Sequence, residues 1–161
     1  MKLTVYHGTD CLFEKIDLRK SADRRDFGTG FYTTTISAQA ESWARSRKLR
    51  SGSSCAYVYV YEAEIPESGV SVKIFDGLTL EWLNTVRDNR KKGGLQHQFD
   101  ILMGPVADDN TMLTVSRYVQ GIYTAEEAIS RLAYARVNDQ VTFHTEKALA
   151  CLHFIRRYTI E

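Results

Sequence analysis

The segment of residues 55–65 constrains the fold of this chain more than any other. Three tyrosines occupy alternate positions there, and Val58, Val60, Glu62 and Glu64 occupy the positions between and after them. Alternation with a period of two is typical of a β-strand and differs from the helical period of 3.6. Pro66 ends the segment, because proline cannot donate a ladder hydrogen bond. The segment therefore predicts a long strand.

Strand-like and helix-like segments alternate along the rest of the chain, without internal repeats or low-complexity linkers. Further strands are predicted near both termini, at residues 3–6 and 152–159. Ser37 is predicted to cap one helix, and Thr124 with Glu127 forms a capping-box pattern at the start of another. The pattern predicts an α+β domain, with strands first and last and helices inserted between them.

Composition limits the function classes. With 161 residues, 43% of them hydrophobic, the chain can bury one good core, which predicts a single domain over residues 1–161. A net charge of +1 argues against nucleic-acid or membrane binding by the domain as a whole. Cys11, Cys55 and Cys151 have no paired spacing, and the four histidines form no metal-ligand spacing. We expect a cytoplasmic protein without a membrane partner or a metal.

A four-residue motif, Tyr6-His7-Gly8-Thr9, follows the first predicted strand. A histidine at a strand end can point out of the sheet edge, and a glycine beside it leaves room for another molecule to approach the backbone. The threonine hydroxyl and Asp10 add polar groups beside a neutral imidazole. A histidine in this place is more often structural, but the motif also suits a pocket for a ribose.

A second motif contains two alternate glycines, Gly28 and Gly30, followed by Phe31, Tyr32 and a run of threonines. It predicts a tight loop that leads into a strand. Because side chains alternate along a strand, one aromatic ring should pack in the core while the other lines a cleft and stacks on a planar ligand. The motif lacks the third glycine and the following helix of a Rossmann loop, so we do not expect a Rossmann site.

Taken together and in this order, the two motifs resemble the ADP-ribosyltransferase superfamily, in the branch of diphtheria toxin and poly(ADP-ribose) polymerase. In that branch, His-Gly-Thr/Ser on the first strand is followed by Gly-x-Gly-x-Tyr and by a third catalytic position near the C-terminus. The third element here would be NDQVTFHT, which starts at Asn138. The resemblance implies split, mostly antiparallel sheets with NAD in the cleft between them.

The chain resembles still more closely a bacterial family known as domain of unknown function 3990. The matching stretches are YHGT, RDFGTGFYTTT with QAESWA, FDILMGPVADD and NDQVTFHTEKAL. They are spread from residue 6 to about residue 150, so the resemblance covers nearly the whole chain.

The resemblance to the transferases implies a role for each matching position. The implied NAD-binding residues are His7, Gly8, Thr9, Gly28, Gly30 and Tyr32. His7 would bond the adenosine-side ribose with help from the nearby threonine, and the backbone of Gly8 would bind the nicotinamide amide. The two loop glycines would let the loop close on the ligand, and Tyr32 would stack on the nicotinamide. NAD would be a co-substrate, and no metal is implied.

The third catalytic position departs from the pattern of the transferases, which usually place a glutamate there. The choices here are Gln140, which the related family favours, and its rival Asp139. Adjacent strand residues face opposite ways, so only one of them can line the cleft. A glutamine can bond a ribose but cannot act as a general base. The next acid, Glu146, is expected to be a first-turn acid of a short helix.

His7, Tyr32 and Gln140 are therefore the expected catalytic residues of an NAD-dependent mono-ADP-ribosyltransferase that modifies a protein or a nucleic acid. The resemblance suggests a toxin paired with an antitoxin protein, or an antiphage effector. Two alternatives stay open: an NAD glycohydrolase, in which water replaces the acceptor, and an inactive module that binds NAD or ADP-ribose.

Two basic pairs, Arg19-Lys20 and Arg24-Arg25, precede the glycine loop and border the expected cleft. Their position is equally compatible with plain surface charge and with contact to a phosphate-bearing ligand. A nucleic-acid acceptor would need only such a local basic lip.

Overall fold

Seven strands form two β-sheets in this computed structural model, which describes residues 1–107, 109–132 and 138–161. In chain order the strands are β1 (Lys2–Thr9), β2 (Phe31–Thr33), β3 (Ala56–Glu64), β4 (Val72–Ile74), β5 (Ile101–Gly104), β6 (Gln140–Phe143) and β7 (Leu152–Ile160). The first sheet has the order β1-β3-β7 and the second the order β2-β6-β5-β4. Pairing is antiparallel except between β4 and β5.

Helices pack against both sheets. They are α1 (Ser37–Ser51), α2 (Leu80–Lys92), α3 (Asp109–Val119), α4 (Ala125–Leu132) and the single turn α5 (Glu146–Leu149). The first helix packs on β1 and β3, whereas α2, α3 and α4 contact one another over the second sheet. The predicted α+β class, with strands first and last, is confirmed.

The two predicted helix starts differ in outcome. Thr124 and Glu127 form the expected capping box, in which each backbone N–H donates to the other side chain, at 3.3 and 3.2 Å. The predicted cap at Ser37 is wrong, because the N-cap of α1 is Ile36, which has no side-chain acceptor. The turn before α1 is held instead by Asp139, whose carboxylate accepts hydrogen bonds from two preceding threonines.

The central strand of the first sheet is β3, which confirms the strand predicted for residues 55–65, shorter by one residue at each end. Its alternation divides its side chains between two cores. Val58 and Val60 pack beneath α1, whereas Tyr59 and Tyr61 pack between the two sheets. The second sheet divides its residues in the same way, with Phe31 in the core between the sheets and Tyr32 in the core under the helices.

The two sheets touch at one point and then separate. Tyr6 of β1 exchanges two backbone hydrogen bonds with Thr34, at 2.8 and 3.0 Å, as an isolated bridge. The residues directly before Thr34 belong to β2 and pair with β6 instead, as Phe31 does with Phe143. A gap therefore opens between β1 and β2 beside His7 and Gly8, and we call it the split.

Candidate functional site

The imidazole of His7 lies at the split and is held in one tautomer. Its Nδ1 is 2.7 Å from the carbonyl oxygen of Tyr32. Because a carbonyl only accepts, Nδ1 carries the proton, and the Nε2 lone pair remains an acceptor for an incoming hydroxyl. The ring stacks on Phe31 at 4.2 Å and meets Phe13 and Tyr59 edge-on.

Burial lowers the pKa of His7 to about 4. The hydrogen bond to the Tyr32 carbonyl opposes this shift, while the positive charges of Arg47 and Arg25 add to it. The imidazole is therefore neutral at pH 7 and can accept a hydrogen bond.

Gly8 presents its backbone to the split. The backbone N–H and C=O of Tyr6 both bond Thr34, so Tyr6 forms no backbone hydrogen bonds with Val60, its partner on β3. Antiparallel pairs alternate between bonded and non-bonded, so Gly8, two residues on, also turns its N–H and C=O away from β3. These groups point to the side of β1 on which β2 diverges.

The side-chain direction of Gly8 is filled by protein, which closes that direction to a ligand. A Cβ at Gly8 would lie 2.0 Å from the backbone oxygen of Ala40 in α1. The glycine is needed to let α1 pack on β1, and a ligand could reach this backbone only along the sheet edge. Thr9 is 4% exposed, and its Oγ1 accepts from the backbone N–H of Cys11 at 3.1 Å.

Tyr32 is buried against the glycine loop. Its hydroxyl donates to the carbonyl of Gly28 at 2.6 Å and accepts from the N–H of Phe27 at 2.9 Å. Burial raises the pKa of this phenol. The guanidinium carbon of Arg25 lies 4.1 Å from the ring centroid. The ring that we expect to stack on nicotinamide is thus 4% exposed and covered by an arginine.

The two glycines fix the loop against its surroundings. Gly28 has a φ of 87°, and a Cβ there would lie 2.7 Å from both Asn89 Oδ1 and a Leu95 methyl. A Cβ at Gly30 would lie 2.6 Å from Nδ1 of His144. The loop is closely packed in this conformation, and both positions exclude a side chain.

Gln140, and not Asp139, shares the face of Tyr32. Tyr32 pairs with Thr142, two residues along β6 from Gln140. The Gln140 amide is 2% exposed and donates to Asp26 Oδ2 at 3.2 Å and to a backbone carbonyl at 3.0 Å. Asp139 faces the other way and holds the turn before α1. The structure thus places Tyr32 and Gln140 on one face of the second sheet, in a buried network joined through residues 26–28. The ring of His7 instead stacks on Phe31, which belongs to the core between the sheets.

Asp26 is a member of this network that the sequence did not single out. Its carboxylate pairs with Arg90 and also accepts from the backbone N–H of Ala107 and from Gln140. Its only signal in the sequence is its place one residue before the Phe27-Gly28 step. Because it contacts Arg90, Gln140 and a backbone N–H, this carboxylate joins the glycine loop to α2 and β6.

Two histidines that lie far apart in the sequence meet beneath the glycine loop. His97 and His144 have ring centroids 4.5 Å apart at 84°. His144 Nδ1 donates to the Thr29 carbonyl at 2.8 Å, and its Nε2 lies 2.7 Å from the Thr142 hydroxyl. His97 Nε2 donates to the Phe27 carbonyl at 2.8 Å. Burial lowers the pKa of His144 to about 4, so both of its hydrogen bonds involve a neutral ring.

A cavity of about 640 Å³ lies beside His7, over the inner face of the first sheet. Phe13 stacks on Tyr59 at 4.1 Å along one wall. His7, Tyr59 and Arg157 are cross-strand neighbours and form one row across the sheet. Glu146 also lines the cavity and is the first-turn acid of α5, as predicted. The volume falls within the range of small-molecule sites.

A family model described as a protein of unknown function, DUF3990, matches residues 3–154. The chain belongs to the DUF3990 family. The match encloses both motifs, the loop and Gln140. No curated protein and no solved structure shows a significant match to the chain.

Three features lie near one another in the described part of this DUF3990 protein. A neutral imidazole acceptor, a backbone edge at Gly8 and an aromatic cavity adjoin one another. Within the described ranges, no three histidine, cysteine or acidic side chains cluster so that they could hold a metal ion. None of the described helices combines the length and apolar character that crossing a membrane requires.

Proposed function

We propose that this DUF3990 protein is an NAD-dependent mono-ADP-ribosyltransferase. The observation that carries the proposal is the placement of His7 at the split, with Nδ1–H fixed on the Tyr32 carbonyl and the Nε2 lone pair available. A neutral acceptor in a fixed orientation suits a ribose hydroxyl, which must donate a hydrogen bond.

The surroundings of His7 suit the two halves of NAD. The outward backbone of Gly8 can donate to and accept from the carboxamide of nicotinamide, which has both a carbonyl and an NH₂. The aromatic cavity beside His7 can receive the adenosine half, with Phe13, which stacks on the buried Tyr59, along its wall. Arg157 and Lys15 line the same cavity, together with Glu14 and Glu146, and the two cations can pair with a pyrophosphate.

The proposed reaction breaks the bond between the nicotinamide nitrogen and the ribose carbon. The electron pair leaves with nicotinamide, the acceptor bonds to the ribose carbon, and the acceptor's proton passes to solvent. Fixed dipoles stabilise such an oxocarbenium-like transition state more than a strong base does.

The nature of Gln140 limits the proposed reaction. Its amide is already bonded to Asp26 and cannot take a proton. The acceptor must therefore be nucleophilic by itself or bring its own base, which favours one transfer over chain elongation. A protein or nucleic-acid acceptor, a role as a toxin and an antitoxin partner belong to the same proposal.

The test uses NAD labelled separately in its nicotinamide and adenylate halves, incubated with the protein in the presence and absence of whole-cell lysate. His7→Ala should slow nicotinamide release by about tenfold to a hundredfold, since one hydrogen bond that positions NAD is lost. His153→Ala is the matched control, because His153 is an exposed histidine of β7.

Adenylate label on a macromolecule, lost with His7→Ala and kept with His153→Ala, would support the transferase. Release without label on any macromolecule would show a glycohydrolase instead. NAD binding without release, in lysate as well as in buffer, would show a binding module and refute the enzymatic proposal.

A further inference from the structure

The guanidinium of Arg25 lies over the ring of Tyr32 in the way that a planar ligand would stack on it. Its guanidinium carbon lies 4.1 Å from the ring centroid, within the range of a cation–π contact. A guanidinium is a planar, delocalised cation, and so is the pyridinium ring of NAD. Both groups would use the same face of the same tyrosine.

The loop around Arg25 is tied down on both sides. The Asp23 carboxylate accepts from the N–H of Gly94 at 2.6 Å, and Arg24 donates to the carbonyl of Lys91 at 2.5 Å. Asp26, on the other side of Arg25, is bound to Arg90 at the end of α2. The backbone on either side of Arg25 is thus anchored, and a change at the Tyr32 ring can come from the Arg25 side chain alone.

Arg25 differs from its neighbour in what holds its charged group. Arg24 bonds two backbone carbonyls, of Arg90 and Lys91. Among the residues that the structure describes, no carboxylate forms an ion pair with Arg25, whose contact is the Tyr32 ring. Displacing its guanidinium therefore costs a cation–π contact and no ion pair.

We propose that Arg25 occupies the planar-cation site on Tyr32 in the ligand-free protein, and that its guanidinium must leave before the nicotinamide ring can bind there. The inference rests on the proposed function for the identity of the ring, and it adds a built-in competitor to that site. The guanidinium lowers the affinity of the site for every planar ligand, since a ligand binds only if it stacks on Tyr32 more favourably than Arg25 does.

The experiment measures binding of 1-methylnicotinamide, a planar pyridinium without phosphate, by calorimetry. Arg25→Ala and Arg25→Gln should bind it about 2- to 30-fold more tightly than the wild type, the equivalent of one cation–π contact. Arg45→Ala is the control, because it removes an exposed arginine of α1 that neither covers the ring nor anchors the loop around Arg25. Circular dichroism and melting temperatures confirm that each variant is folded.

The gain in affinity for 1-methylnicotinamide must also depend on the Tyr32 ring. Arg25→Gln combined with Tyr32→Leu should bind the probe no better than the wild type. Unchanged or weaker binding in both Arg25 variants, or an equal gain in Arg45→Ala, would overturn the inference even if the wild type cleaves NAD. A gain confined to Arg25 variants, with no NAD cleavage by any protein, would leave the inference standing and overturn the proposed enzyme.

Discussion

Replacing Gly8 by alanine should destabilise the protein through a clash with α1. The added Cβ would lie 2.0 Å from the backbone oxygen of Ala40 and 3.0 Å from the backbone nitrogen of Ala44. Both atoms belong to a helix backbone, so no side-chain rotation can relieve the contact. The helix must withdraw from β1 by roughly 1 Å or more to restore ordinary contact distances.

The withdrawal of α1 determines how much stability Gly8→Ala loses. It would open the core that Ala40 and Ala44 share with Val58 and Val60, all at most 3% exposed. Forcing extra atoms into a packed core costs about 1–3 kcal/mol, and a backbone clash lies at the upper end. A cost of about 3 kcal/mol lowers the melting temperature by roughly 6–12 °C for a domain of this size.

The assay is thermal unfolding, with hydrogen exchange to locate the change. Gly121→Ala is the matched control, because Gly121 has a φ of 80° and a Cβ there would meet nothing within 4 Å. That variant should lose only about 1–2 kcal/mol, the usual cost of a left-handed alanine. Amides of α1 should exchange faster in Gly8→Ala and not in the control. The reasoning fails if Gly8→Ala melts no lower than Gly121→Ala.

Three further predictions concern buried polar side chains around the glycine loop. Asp26→Ala should lower the free energy of unfolding by about 3–5 kcal/mol, because it leaves the Arg90 guanidinium and the Gln140 amide without their carboxylate; urea midpoints would measure this, and an unchanged midpoint would contradict it. The free energy of unfolding should fall by up to about 3 kcal/mol from His144 alone as the pH drops from about 6.5 to about 4. The reason is that the unfolded chain binds a proton that the buried ring, with its pKa lowered to about 4, does not bind in this range. His144→Gln should flatten this slope in urea titrations, and an unaltered slope would show that other groups cause it. Tyr32→Phe should cost about 1–3 kcal/mol and speed exchange of the loop amides, because two hydrogen bonds of its hydroxyl are lost; unchanged exchange in the loop would mean that the hydroxyl does not hold it.

Local chemistry explains what could be predicted. The alternation of residues 55–65 predicts β3 because side chains on a strand alternate whatever the strand packs against. The same rule places Phe31 and Tyr32 on opposite faces, and Thr124 with Glu127 forms a capping box because its partners are three residues apart. The predicted cap at Ser37 is wrong because Asp139, about a hundred residues away, holds that turn instead.

The candidate site shows the same division. Its motifs, the faces of its strand residues and the family to which the chain belongs can be inferred from the sequence, because they depend on residue order and on a period of two. Which of those faces is covered is decided by tertiary packing. Gln140 is buried and bonds Asp26, which lies 114 residues away in the sequence. The ring of His97 contacts the ring of His144, which comes from another segment of the chain. Arg25 covers Tyr32 from a loop whose next residue, Asp26, is paired with Arg90 of α2, and no local pattern contains that contact between distant segments.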